Sequence, residues 1–288
     1  MRKESLQGLL FVLPACIGFA VFYLWPTVRG IYYSFTEYSV LSPPTWVGLE
    51  NYTHMVHDDV FWKSLVVTVE FVVLTVVLQT VVSMGIAMLM HRLTNSLLIR
   101  GVILFPFLIS GVVVALAWFW IADYQIGIAN ELLRHLGANG TPFFGDTGTA
   151  LLTVAFVSVW RGMGYTALLL FAGLLTIPPQ VYEASALDGA SGLRTFRSIT
   201  LPLLRPVVAM VLVLTVIGSF QVFDIIAVTT KGGPVDATRV ISYYIYQLAF
   251  TQSQFGYASA ISVVLFVVLA IVSFVQLRLM RANQSDLA

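Results

Sequence analysis

The sequence is poor in cysteine and in charge, and each shortage excludes a class of protein. Cys16 is the single cysteine among 288 residues, so the chain can build neither an internal disulfide nor a cysteine-based metal site. Charged side chains make up 10% of the sequence, whereas an average soluble domain has about 25%. A net charge of +1 provides no basic surface of the kind that binds nucleic acid.

Motifs for metal or nucleotide chemistry are also missing. The four histidines are scattered, and the one close pair, His54 and His57, has no third ligand beside it. The phosphate-binding pattern G-x-x-x-x-G-K-[ST] does not occur, so we expect no nucleotide site and no ATP hydrolysis in this chain. We find no nucleophile paired with a base, which argues against an intramembrane enzyme.

Hydrophobic residues are abundant, at 58% of the sequence, and they cluster in long runs. A helix needs about 20 apolar residues to cross about 30 Å of hydrocarbon. The sequence therefore predicts an all-α polytopic membrane protein, a single domain over residues 1–288 with six transmembrane helices. The predicted spans are approximately residues 6–25, 65–90, 102–122, 150–175, 203–228 and 257–277. The first run exceeds a signal-peptide core, and Leu24-Trp25-Pro26 offers no cleavage site, so we expect it to be retained.

The basic residues predict the orientation of these spans. One side of the predicted membrane carries the larger basic set, which is Arg2, Lys3, Arg92, Arg100, Arg194, Arg197, Arg205, Arg278 and Arg281. The other side carries Arg29, Lys63, Arg134, Lys231 and Arg239, among many carboxylates. Because cytoplasmic loops are enriched in lysine and arginine, we expect the first side and both termini to be cytoplasmic.

The segment 177–206 is the only long polar stretch between residues 150 and 230. Pro178 and Pro179 suit the first turn of a helix, where a missing N–H does no harm, and Gly189 is placed to end that helix. Ser191 can cap a second short helix. We expect this second helix to stop near Leu201–Pro202, because proline disfavours helical structure in the residue before it.

This segment resembles the EAA loop of ATP-binding-cassette importer permeases. Glu183 and Ala184, then Gly189, then Ile199, Leu201 and Pro202 stand at the motif positions, and Ser185 replaces the second alanine. The resemblance implies the type I importer permease fold, with residues 177–202 as the coupling loop that docks into a cytoplasmic ATPase. Its predicted ATPase-coupling residues are Glu183, Ala184, Asp188, Gly189, Leu201 and Pro202.

Three ionisable residues fall within predicted spans, namely Glu70, Arg161 and Asp224. Because a charge in hydrocarbon costs about 2.5–3.5 kcal/mol or more, such residues either pair with each other or line a polar cavity. Polar and aromatic neighbours favour a cavity, since ring faces and hydrogen-bonding groups suit a sugar. These neighbours are Trp160, Tyr165, Phe220, Gln221 and Phe223.

Two stretches sharpen the resemblance to carbohydrate importers. Phe220-Gln221-Val222-Phe223-Asp224 and Thr230-Lys231-Gly232-Gly233-Pro234 are similar to the fifth-span signature of the first of two permeases in such importers, the maltose type included. The resemblance implies a substrate path lined by Ser110, Arg161, Gly162, Tyr165, Phe220, Gln221 and Asp224. The maltose type has asparagines where this chain has Gln221 and Asp224, so the identity of the sugar does not carry over.

The resemblance implies a permease subunit of an ATP-driven importer for a sugar or oligosaccharide, in a bacterial or archaeal cytoplasmic membrane. The implied partners are a second homologous permease, two copies of an ATPase that binds ATP and magnesium, and an extracytoplasmic solute-binding protein. Two alternatives stay open. One is an importer of glycerol 3-phosphate or another polyol, whose anion would meet Arg161. The other is a self-sufficient secondary carrier, although such carriers usually contain two matching halves and none is visible here.

Overall fold

The structure, a computed structural model, describes residues 12–40, 42–93 and 96–281, with side chains as far as residue 278. The predicted start of the first span and the basic residues Arg2 and Lys3 lie outside the described residues. The described chain forms two compact units. The first comprises residues up to Phe61 together with Tyr244–Leu269, and the second comprises Trp62–Tyr243 and the residues from Ala270 onward.

Helices dominate the described residues, and one short hairpin accompanies them. The helices long enough to span a membrane are α1 (Val12–Tyr33), α3 (Asp59–Leu93), α7 (Ala150–Leu174) and α14 (Phe255–Arg281), and two further spans are each divided into two helices. The divided spans are α4 (Leu97–Leu108) with α5 (Gly111–Ile121), and α11 (Arg205–Phe220) with α12 (Asp224–Val228). The short elements are β1 (Thr36–Ser39), β2 (Ser42–Trp46), α2 (Glu50–Val56), α6 (Ile128–His135), α8 (Pro179–Leu187), α9 (Gly192–Thr195), α10 (Leu201–Leu203) and α13 (Ile241–Tyr246).

The third predicted span, residues 102–122, is not continuous. Helices α4 and α5 meet at an angle of 91°. Ile109 and Ser110 between them have extended backbone, with ψ angles of 140° and 139°. Pro106 in the last turn of α4 removes one backbone donor, which weakens the helix just before the bend. The predicted third span is therefore present as two helices joined at a bend.

The fifth span is interrupted in a similar way. Helix α11 ends at Phe220, and α12 begins at Asp224 after three residues that are not helical. Phe223 has φ −143° and ψ −56°, far from helical values. The carbonyl of Phe220 accepts a hydrogen bond of 2.8 Å from the Ser242 hydroxyl, so the interruption leaves this group satisfied.

The second helix of the loop ends at Leu203, one residue beyond the expected end near Leu201–Pro202, and it includes the proline. The chain continues from α9 through a π-helical turn, Phe196–Thr200, into α10, which contains Pro202. The amide of Leu201 donates to the carbonyl of Phe196, five residues back. A turn of this width moves the preceding carbonyls away from the proline ring, so the helix continues past it. The π turn Ala20–Leu24 in α1 precedes Pro26 in the same way.

A stripe of polar residues on α3 joins it to its neighbours in the second unit. The Thr68 hydroxyl accepts from the amide of Ile241 at 2.8 Å, and the Thr75 and Ser219 hydroxyls lie 2.9 Å apart. The Ser83 hydroxyl donates to the carbonyl of Met163 at 3.0 Å. Helices in lipid gain little from apolar burial alone, so such bonds and close packing hold them together. The accompanying apolar clusters include Phe71, Val154, Val157, Ile226, Leu170, Leu174 and Leu204.

The first unit contains a carboxylate that binds two phenols. Oδ2 of Asp58 accepts hydrogen bonds from the hydroxyls of Tyr244 and Tyr257, each at 2.6 Å, and Oδ1 accepts from the amide of Val60 at 2.9 Å. Burial acts to raise the pKa of Asp58, but these hydrogen bonds outweigh it and hold that pKa below its ordinary value. The carboxylate therefore ties the start of α3 to α13 and α14.

Candidate functional site

A cavity of about 310 Å³ lies beside the two interruptions in the second unit. Its walls come from α3, α4, α7 and α11, and from the chain between α11 and α12. The interruption of the fifth span contributes Gln221, Val222 and Phe223 to the lining, and the third span contributes Phe107 just before its bend. Irregular backbone at membrane depth is tolerated where it lines a cavity.

Five of the seven predicted substrate-path residues line this cavity, and two do not. The lining residues are Arg161, Gly162, Tyr165, Gln221 and Asp224. Ser110 lies outside the lining as the N-cap of α5, and Phe220 is a buried side chain at the end of α11. The structure therefore brings together residues from α7 and from the interruption of the fifth span.

Arg161 and Asp224 contact opposite ends of the bend between α4 and α5. Nε of Arg161 donates to the carbonyl of Ile109 at 3.3 Å, and the guanidinium carbon lies 6.0 Å from the centre of the Phe107 ring. Asp224 packs against Gly111, since a Cβ added there would lie 2.4 Å from its Oδ2. Among the described residues, no salt bridge links Arg161 or Asp224 with each other or with Glu70. Glu70 is exposed and does not line the cavity.

Two aromatic rings that stack on each other contribute to the lining of the cavity. The rings of Tyr165 and Phe107 are stacked, with centroids 4.5 Å apart and an interplanar angle of 10°. Tyr165 is 38% exposed, so part of its ring remains accessible. An aromatic face of this kind suits the apolar C–H face of a sugar ring.

The cavity also contains residues that the sequence analysis missed. Nε2 of Gln79 donates to the Thr166 hydroxyl at 2.7 Å, and Gln79 fills the space over Gly162, where a Cβ would lie 2.8 Å from Nε2. Thr75, Ser158 and Phe107 also line the wall. The signal was present in the sequence, because Thr68, Thr75, Gln79 and Ser83 recur on one face of an otherwise apolar helix.

The predicted coupling loop has the two short helices expected of it. Gly189 has φ +72° and ends α8, and the Ser191 hydroxyl caps α9 by accepting from the amide of Arg194 at 3.4 Å. The hydroxyls of Ser185 and Thr195 lie 2.9 Å apart and join the two helices.

The predicted coupling residues divide into an exposed set and a packed set. Glu183, Ala184, Asp188 and Gly189 are exposed, and Leu187 beside them is 89% exposed. Leu201 and Pro202 are partly buried, and Leu201 packs against the apolar cluster around Leu204. Glu183 also lines a second cavity of about 420 Å³ between the end of α3 and α8.

The sequence matches a known family over most of its length. Residues 79–283 fit the family described as binding-protein-dependent transport system inner membrane component. The chain belongs to this family. The matched region of the permease contains both the cavity-lining residues from Gln79 onward and the coupling loop. A self-sufficient carrier does not fit the description of one component of a binding-protein-dependent transport system.

Relatives of the permease cover nearly all of it. The sulfoquinovosyl glycerol transport system permease protein SmoG of Agrobacterium fabrum is 33% identical over 283 residues, 97% of this chain and 92% of the relative. The trehalose/maltose transport system permease protein MalF of Thermococcus litoralis is 34% identical over 281 residues, 97% of this chain and 95% of the relative.

A solved structure shows the same fold. It is a bacterial ABC transporter involved in the import of the acidic polysaccharide alginate, and one of its chains matches with a TM-score of 0.86 at 21% identity, over 98% of both chains. Together with the family match, this confirms the predicted importer-permease family and its all-α type I fold. Among the described residues, no cluster of three or more metal-ligating side chains occurs.

Proposed function

We propose that this permease translocates a sugar or oligosaccharide through the cavity between its two broken spans. The observation that carries the proposal is that the stacked pair of Tyr165 and Phe107 and the side-chain amides of Gln79 and Gln221 line one cavity. Ring faces bind the C–H surface of a pyranose, and amides pair with its hydroxyl groups. The names of the relatives, which include trehalose/maltose and sulfoquinovosyl glycerol systems, support a glycosidic substrate.

We infer that the permease works in an assembly of several subunits. A second homologous permease would complete the path, and a solute-binding protein outside the cytoplasm would deliver the sugar. The family description names the binding protein, and one structural neighbour was solved with a periplasmic protein carrying an alginate pentasaccharide. Two copies of an ATPase would bind ATP and magnesium and supply the energy.

The coupling loop would transmit that energy to the spans. In this proposal the exposed face of α8, from Glu183 to Gly189, docks into the ATPase, and Leu187 fills an apolar part of the interface. The loop and both termini would lie in the cytoplasm, as the distribution of basic residues indicates. The hydroxyls of Ser185 and Thr195 join α8 to α9. A displacement of α8 would therefore be transmitted to α11 through the π-helical turn that follows α9.

An uptake experiment tests this function. The host strain lacking the permease would be complemented with the wild-type gene and supplied with radiolabelled maltose, trehalose, raffinose and glycerol 3-phosphate. We expect uptake of at least one glycoside, and Tyr165→Ala should abolish that uptake while the permease remains in the membrane. Complemented uptake of glycerol 3-phosphate alone, with no glycoside imported, would contradict the proposal.

A further inference from the structure

We propose that Arg161 and Asp224 are positioning residues that hold the bend between α4 and α5, rather than the charges that recognise the transported compound. They supply one counter-charge for each helix end that the bend exposes. The inference rests on the proposed function, because it concerns the same cavity and leaves contact with the sugar to the uncharged side chains of that cavity.

The bend exposes the C-terminal end of α4 and the N-terminal end of α5. The last carbonyls of one helix and the first amides of the other have no partner within their own helix. The aligned peptide dipoles also give the end of α4 a partial negative charge and the start of α5 a partial positive charge. At membrane depth little water is present to satisfy them.

Arg161 matches the negative end. Its Nε donates to the carbonyl of Ile109, which is the C-cap of α4, and its guanidinium lies over the Phe107 ring in the last turn of the same helix. Phe107 in turn stacks on Tyr165, one turn further along α7 from Arg161. The arginine therefore fastens the end of α4 to α7 by two contacts.

Asp224 matches the positive end. Its carboxylate packs against Gly111, the first residue of α5, so closely that a Cβ at this position would meet Oδ2 at 2.4 Å. Ser110, the N-cap, makes no side-chain hydrogen bond to the helix it precedes. The first turn of α5 thus has no side-chain cap from Ser110, and the carboxylate that packs against it comes from α12. The sign of each residue agrees with the helix end that it touches.

The sequence also allowed an ion pair between Arg161 and Asp224, in which the two charges would neutralise each other instead of the helix ends. Among the salt bridges of the described residues none joins Arg161 to Asp224, so each charge is matched to a helix end rather than to the other. Gln79, Gln221 and Tyr165 remain as uncharged groups for a sugar in the same cavity.

A distance measurement across the bend tests the inference. Cys16 would be replaced by serine, and spin labels would be attached to cysteines in place of Leu97 and Trp120, which are 82% and 61% exposed. At 1.5 Å per residue, a right-angled bend gives a separation of about 24 Å and a straight helix about 35 Å. The permease would be purified with its partner subunits and measured by pulsed electron resonance in lipid nanodiscs without any transported compound.

We expect Arg161→Gln and Asp224→Asn each to broaden the distance distribution toward about 35 Å, because one helix end loses its counter-charge. Arg161→Lys should restore the short distance, since it keeps the charge. Glu70→Gln is the matched control, because it removes a charge from an exposed part of a span, and it should leave the distribution unchanged.

The opposite result is equally clear. If Arg161→Gln and Asp224→Asn keep the short, narrow distribution of the parent, the two residues do not hold the bend and the inference is wrong. Asp224→Asn has nearly the same shape as the native residue, so it decides the question alone if Arg161→Gln is not inserted. Failure of sugar uptake in the host strain would contradict the proposed function without changing this measurement, because no substrate is present in it.

Discussion

Gly164 lies where α7 and α4 approach most closely, and replacing it by alanine should separate the two helices. A Cβ at this position would lie 1.9 Å from the carbonyl oxygen of Ile103 and 2.7 Å from its carbonyl carbon. Since Cβ atoms essentially never approach another heavy atom within 3.0 Å, the helices must move apart by at least about 1.1 Å. The obstacle is backbone, so no side-chain rotation relieves it.

Two effects of opposite sign determine how much Gly164→Ala changes the free energy of unfolding. Alanine is favoured over glycine in a helix by about 1 kcal/mol, whereas overpacking a well-packed interface costs about 1–3 kcal/mol. We therefore expect the free energy of unfolding to fall by up to about 2 kcal/mol, with a lower melting temperature. The shift also displaces Phe107, which lies on the same helix as Ile103, from its stack on Tyr165. Uptake should consequently fall further than stability.

Gly85→Ala on α3 is the matched control, because no atom lies within 4 Å of the position of its added Cβ. Both variants would be compared for membrane insertion, thermal unfolding of the purified permease, and sugar uptake. Gly85→Ala should keep wild-type uptake and the same or a slightly higher melting temperature. If Gly164→Ala behaves like Gly85→Ala in all three assays, the close approach of α4 and α7 does not exist as described.

Four further expectations follow from other parts of the structure. Gly189→Trp should leave the permease inserted but abolish uptake without abolishing ATP hydrolysis by the complex, because φ is +72° there and the residue lies on the face that we propose docks into the ATPase. Gln221→Leu removes a donor and an acceptor from the cavity and should weaken sugar binding by about 1–3 kcal/mol, or roughly 5- to 150-fold. Asp58→Asn should lower the melting temperature at neutral pH. Hydrogen bonds hold the native pKa of Asp58 below its ordinary value, so its contribution to stability is present above the ordinary carboxyl pKa and is lost as the pH falls through the lowered native pKa. In a background without cysteine, a cysteine at Ser191 should label only from the cytoplasm and one at Leu49 only from outside, Leu49 being 64% exposed.

Each expectation has a result that contradicts it. Normal uptake by Gly189→Trp would remove the tip of α8 from the coupling interface. Unchanged sugar affinity in an assembled Gln221→Leu complex would exclude this amide from the site. If the native protein is more stable than Asp58→Asn by the same amount at pH 2 as at neutral pH, the charge of the carboxylate does not contribute to its binding of the two tyrosines. Labelling of either cysteine from the wrong face would overturn the proposed topology.

Local features of the coupling loop could be predicted because their causes are local. Pro179 at the start of α8, the left-handed Gly189 at its end and the Ser191 cap each depend on the conformational limits of one residue. The second helix ends at Leu203, close to the expected position, but Leu201 and Pro202 are still helical because a π turn five residues long precedes them. The preference of proline is local, but whether the preceding turn widens depends on how the helix packs.

The amino-acid sequence by itself determined that this is an apolar, all-helical permease with a polar coupling loop. Long hydrophobic runs must form helices in a membrane, because every backbone group there needs a partner within its own segment. Only the tertiary structure decided which residues share the cavity. Thr75 and Ser219 meet across 144 positions, Gln79 reaches Thr166, and Asp224 packs against Gly111. Such contacts depend on how separate helices pack, and at the 91° bend the carbonyl of Ile109 accepts from Arg161, which is 52 positions away.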